Sequence, residues 1–298
     1  MKIARIAVCL LMGIVLVSGF ACCPDGPTPT PTPTPTLTPE ATPTPTGTPP
    51  IVSDYIFYED FETDLNNWYD IELPNRMYIT DRLSYSGDHC LEMRFEPGDS
   101  EIAAGWMRRR FFPENYPWPG EGPNLETQGV NEMYVRFYER WSDNFQWPGT
   151  GYGPHNIYIG AGDFDSPTSS ELTAYLEVRN RHPLAMIAGG HRGIDYTEWE
   201  ANSSEIELDR WYCLEMRLRM SDPGQKNGVI QVWVDGDLVI DVHDAFMRRE
   251  YLDLDGNPLA FHLFMIGPWY HDGVTSSETM YIWIDELAIS TQHIGPLE

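Results

Sequence analysis

Basic side chains are scarce in this chain of 298 residues: 19 Lys and Arg stand against 45 Asp and Glu. Such a charge repels polyanions. It excludes nucleic acid and an anionic bilayer as the main partner, while leaving room for a local cationic cleft. Cysteine is sparse as well, at five, and no Cys/His cluster has the spacing of a zinc site. The glycines form no phosphate-binding loop, and no strand–Ser–helix elbow marks a serine nucleophile. No strand-like run carries the closely spaced carboxylates of a retaining glycoside hydrolase; EIELD at Glu205–Asp209 has the wrong spacing. The one long apolar run, Ile6–Val17, is too short for a membrane span.

Lys2 and Arg5 flank that run and small residues follow it, so residues 1–22 read as an export signal. Cys22 then stands where a bacterial lipoprotein carries its lipid; ordinary cleavage near Ala21 is the other reading. Residues 23–50 are dominated by a Pro-Thr repeat. Proline fixes φ and removes donors, so this linker is expected to be a disordered, extended spacer reaching about 80 Å at ~3.1 Å per residue. Residues 51–298 are expected to form one all-β domain, monomeric, on the cell surface or in the extracellular space. Any membrane attachment is through the lipid alone.

Runs of alternating polarity, separated by Gly, Pro, Asn and Asp, recur through residues 51–298 and predict a β-sandwich or jelly roll. Asp235-Gly236 is a hairpin turn signal, and Asp244–Tyr251 alone has short helical character. On four strands the alternation sorts an aliphatic inner face from an outer face of Arg, Glu and Tyr. The sharpest is MYVRFYERW, whose Tyr134, Arg136, Tyr138 and Arg140 share one face. Aromatic rings stack on sugars, and guanidinium forks bind carboxylates or sulfates. These four, with Arg94, Tyr175, Arg179, Arg217 and Arg219, therefore read as an anion-binding band if their strands share a sheet; cross-strand Arg–Glu pairing is the alternative. Trp118 and Trp147 lie on Pro/Gly-rich loops, which suits sugar stacking and Pro–Trp packing equally. Cys90 and Cys213 sit in an internal echo, HCLEMRF and YCLEMRL. They are either a disulfide in an oxidising compartment or two small semi-buried thiols.

WYCLEMRLRMSDPGQKNGVIQVWVDGDLVI (Trp211–Ile240), YIWIDELAISTQHIGP (Tyr281–Pro296), YEDFETDLNNW (Tyr58–Trp68) and MYVRFYERWSDNFQWPG (Met133–Gly149) resemble segments of extracellular polysaccharide lyases. The resemblance is to concanavalin A-like jelly rolls of the alginate/glucuronan and heparin-lyase-I type. It implies β-elimination at a uronic acid of an anionic polysaccharide, with no required cofactor. On that resemblance Tyr138 and His155 are candidates for base and acid, and Arg136 and Asn156 for neutralising the substrate carboxylate; His191 and His271 are weaker alternatives. It also implies a structural calcium ion between Asp60 and Asp285, where the opening and closing strands meet. A non-catalytic carbohydrate-binding or adhesion module of the same fold is the competing reading.

Overall fold

The computed structural model describes residues 55–298 except 73–74, 100–104, 111–128, 149–153, 162–171, 190–193, 202–203, 250–258 and 271–273. Two antiparallel sheets form a sandwich. The first runs in the order Asp237–Ala245 (β13), Gly228–Val234 (β12), Tyr212–Arg219 (β11), Glu132–Trp141 (β6), Met280–Ser290 (β15), Cys90–Phe95 (β4) and Met77–Thr80 (β3). Tyr55–Glu59 (β1) also pairs with β15. The second runs Ile194–Glu200 (β10), His182–Gly189 (β9), Leu172–Arg179 (β8), His155–Ala161 (β7), Phe261–Trp269 (β14), Trp106–Arg110 (β5) and Tyr69–Glu72 (β2). Among the described residues there is no helix. This is the all-β jelly-roll sandwich that the alternation predicts.

Period-two patterning explains the packing. Leu91, Met93 and Phe95 of β4 and Met133, Val135 and Phe137 of β6 are fully buried. They meet Ile157 and Ile159 of β7 and Ala174 and Leu176 of β8 in one core. Each such aliphatic or aromatic side chain contributes about 1.5–3 kcal/mol on burial. The hairpin between β12 and β13 turns at Asp235 and Gly236, with φ of 50° and 86°, the positive pair that a tight hairpin loop requires.

Three expectations are corrected. The four patterned strands do not share a sheet: β4, β6 and β11 lie in the first and β8 in the second. The short helix expected at Asp244–Tyr251 is absent from its described part, where Asp244 and Ala245 end β13. Cys90 and Cys213 are buried free thiols. Cys213 pairs with Tyr138 and Tyr138 with Asp285, while β15 pairs onward with β4. The cysteines therefore stand on strands three spacings apart, roughly 14 Å, far beyond the ~4.4–6.8 Å Cα separation of a disulfide. The segments expected to be an export signal (residues 1–22, with Cys22) and a linker (residues 23–50), and Trp118, His191 and His271, lie outside the described residues.

Candidate functional site

The Tyr/Arg stripe of β6 faces outward from the first sheet, as alternation demands, but its centre is covered. Arg136 is 0% exposed, and its guanidinium lies 5.4 Å from the Tyr138 ring. Tyr85 stacks on Tyr138 at 3.6 Å, and the Tyr138 hydroxyl accepts the Leu297 amide at 2.6 Å. Glu215, directly across from Arg136, instead accepts the amides of Ile294 and Gly295 at 2.9 and 2.8 Å. The C-terminal segment is thus strapped over the stripe, and burial pushes the Tyr138 phenol far above its ordinary range. A Tyr138→Phe variant should lose about 0.5–1.5 kcal/mol of stability in denaturant titrations, because the Leu297 amide loses its acceptor.

The other arginines of this sheet are committed to partners. Arg217 binds Glu132 at 2.9 and 2.6 Å and Gln231 at 2.8 Å, and it sits 5.5 Å from the Tyr134 ring. Arg94 pairs with Glu96, Arg140 with Asp209, and Arg219 donates to the Asn227 carbonyl at 3.1 Å. Trp147 packs against Trp141 and Phe145. Cross-strand and loop pairing engages these arginines, whereas the buried Arg136 guanidinium has no hydrogen-bond partner among the described residues.

Both carboxylates of the implied calcium pair are engaged by backbone amides. Asp285 accepts the Tyr85, Ser86 and Glu286 amides at 2.8, 3.2 and 2.8 Å, and Asp60 accepts the Glu62 amide at 3.1 Å. Among the described residues no three acidic, His or Cys side chains converge as a metal site.

The outer face of the second sheet offers a different arrangement. Register aligns Glu198, Met186, Tyr175, Tyr158, Met265 and Arg108 in one row across six strands. The next row brings His155 opposite Glu177 on one side and Trp269 on the other. The Tyr158 and Tyr175 rings meet edge to face at 4.9 Å. Burial holds the Tyr158 hydroxyl well above 10, and burial likewise raises Tyr175. Arg179 donates to Glu177 at 3.1 Å and Glu198 at 2.9 Å, and Tyr196 donates to Glu198 at 3.0 Å. On the other flank Arg108 is half-buried beside Trp106, its guanidinium 5.7 Å from that ring. Arg108 is two strands from Tyr158, on the order of 10 Å.

Chemically, this face combines phenols held protonated and two guanidinium flanks, with strand position 155 in the adjoining row. A phenol kept neutral can donate a proton, and imidazole is the side chain whose ordinary pKa suits a base near neutral pH. Of the sequence candidates, His155, Tyr175 and Arg179 belong to this face by register, while Tyr138, Arg136, Tyr134, Arg140, Arg94, Arg217 and Arg219 belong to the first sheet. Asn156 belongs to neither face. Its side chain points between the sheets and donates to the buried Glu139, so it cannot reach a substrate carboxylate there. Tyr158 and Arg108 are the residues that sequence reasoning did not select.

Comparison with known proteins agrees with this architecture. Residues 61–288 match the polysaccharide lyase family. No curated protein matches by sequence. Among solved structures, an endo-β-1,4-glucuronan lyase from the fungus Trichoderma reesei superposes with a TM-score of 0.55 at 15% identity, over 80% of this chain and 96% of that one. An alginate lyase superposes with a TM-score of 0.55 at 12% identity, over 80% and 98%. At these identities the likeness is one of fold. The family match, by contrast, runs from the loop after β1 into the last strand, β15. On that evidence the chain belongs to the polysaccharide lyase family.

Proposed function

We propose that this protein cleaves a uronic-acid-containing polysaccharide by β-elimination on the outer face of the second sheet. The observation that carries the reading is the edge-to-face pair Tyr158–Tyr175, in one row with Arg108 and beside the position of His155. His155 takes the proton from the carbon beside the sugar carboxylate. The C–H electron pair becomes the new C=C bond, the C–O bond to the leaving sugar breaks, and Tyr158 or Tyr175 protonates the departing oxygen. Arg108 offsets the charge that develops on the carboxylate. Export by residues 1–22, and the Pro/Thr linker as a tether, suit a polymer too large to enter a cell.

The test follows ultraviolet absorbance of the unsaturated sugar while the purified protein meets alginate, glucuronan and heparin-type polymers. Rising absorbance on at least one polymer supports the reading. Binding to a polymer with no rise on any of them turns the assignment to a non-catalytic carbohydrate-binding module.

A further inference from the structure

Strand β7 does not keep one phase. Ile157, Ile159 and Ala161 are buried in the core, and Tyr158 lies on the opposite phase. Strict alternation back from Ile157 would put residue 155 on the core phase as well. The observed pairing breaks that rule. His155 stands opposite Glu177 while Ile157 stands opposite Leu176, so two steps along β7 match one along β8. Asn156 is the extra residue, a β-bulge. Directly opposed residues in an antiparallel pair share a face, and Glu177 is on the same phase as Tyr175. The bulge therefore moves position 155 to the outer phase, three residues rather than two from Tyr158.

A hydrogen bond from the other sheet meets this bulge. Glu139 of β6 is on the inward phase of its strand and 1% exposed, and it accepts the Asn156 Nδ2 donor between the sheets. Among the described residues nothing donates to Asn156 Oδ1. Burial raises the Glu139 carboxyl well above the usual carboxylate range and so favours its protonated form. Its O–H is then free to turn to Asn156 Oδ1 and complete a two-point acid–amide pair. That pair satisfies atoms whose burial without partners would each cost about 1–3 kcal/mol.

We infer that Glu139 is a positioning residue, which holds the β7 bulge through Asn156 and so sets position 155 on the same face as Tyr158 and Tyr175. It touches no substrate and acts through Asn156 alone. The inference deepens the lyase reading and its catalytic consequence rests on that reading, but its structural core does not.

Three variants test it, each read by the His155 imidazole resonances and by kcat and KM on a polymer the wild type cleaves. E139Q keeps a neutral two-point partner for Asn156. It should preserve the His155 resonances and hold kcat within about threefold, since the hydrogen-bond pair is retained. E139L should shift those resonances and lower kcat by roughly 100-fold, the scale of a small misplacement of a reacting group, with KM nearly unchanged. The double variant E139L/N156L replaces both polar partners with apolar groups, which is near neutral for stability. It guards against a fold lost through E139L alone, and it too should move His155 and lower kcat. Resonances and kcat unchanged in the folded double variant would overturn the inference, as would E139Q failing as badly as E139L. If the wild type cleaves no polymer, the lyase reading falls, and the resonance comparison alone decides the role of Glu139.

Discussion

Tyr158→Phe is expected to lower kcat on the cleaved polymer by roughly 100- to 10,000-fold, the usual worth of a positioned general acid or base, whereas Tyr138→Phe leaves kcat unaltered. The contrast follows from which sheet each tyrosine occupies. Tyr138 is on the first sheet, stacked under Tyr85, with its hydroxyl engaged by the Leu297 amide. Tyr158 is on the second sheet, packed edge-on against Tyr175 at 4.9 Å. Removing one hydroxyl leaves ring packing intact, so both variants should fold, and the loss in Tyr158→Phe should appear in kcat rather than in KM. Tyr175→Phe separates the two acid candidates: whichever phenylalanine variant loses the leaving-group proton shows the larger drop. A full rate in both variants would remove phenolic acid catalysis from this face. A large loss in Tyr138→Phe alone would return the chemistry to the first sheet.

Much of the fold was legible from alternation, because a strand's two faces are written in its own residues. Leu91, Met93 and Phe95 of β4 are all 0% exposed, as the pattern requires. Sheet membership was not legible, since it depends on partners far away in the chain: β6 pairs with β11 and β15, whereas β8 pairs with β7 and β9. The same limit hid what covers the first-sheet stripe. The MYVRFYERW stripe does face outward, but its exposure is decided by a segment more than 150 residues later, which Glu215 and Tyr138 fasten across it. The phase of position 155 was hidden by the bulge, because alternation in PHNIYIG cannot reveal where an extra residue is inserted. An asparagine set within that apolar run was the available sign that the phase changes there.

Stability is expected to fall as pH rises from about 5 to 8.5, and the buried carboxyls give the sign. Burial raises Asp285 to about 8, against the opposing pull of the Ser86 and Tyr85 amides, and it raises Glu139 and Glu59 as well. A carboxyl whose folded pKa lies above its unfolded value keeps its proton in the native state after the unfolded chain has released one. Its contribution is therefore fully present below the unfolded value near 4 and is lost as pH climbs toward the folded value. The slope for each group is at most about 1.4 kcal/mol per pH unit. In a domain of this size each kcal/mol corresponds to about 2–4 °C, so the melting temperature should drop by on the order of 10 °C across the range. Glu62 is shifted downward, chiefly through the His89 and Asp88 contacts that outweigh its desolvation, and it opposes this trend only weakly because it is largely solvated. Melting curves at half-unit pH steps read the effect, and E139Q isolates one share of it. The amide carries no proton to lose, so E139Q should match the wild type near pH 5, exceed it near pH 8 and show a shallower slope. A wild-type melting temperature that is flat or rises over this range would mean that the buried carboxyls ionise without penalty. That result would also remove the protonated Glu139 on which the acid–amide pair with Asn156 depends.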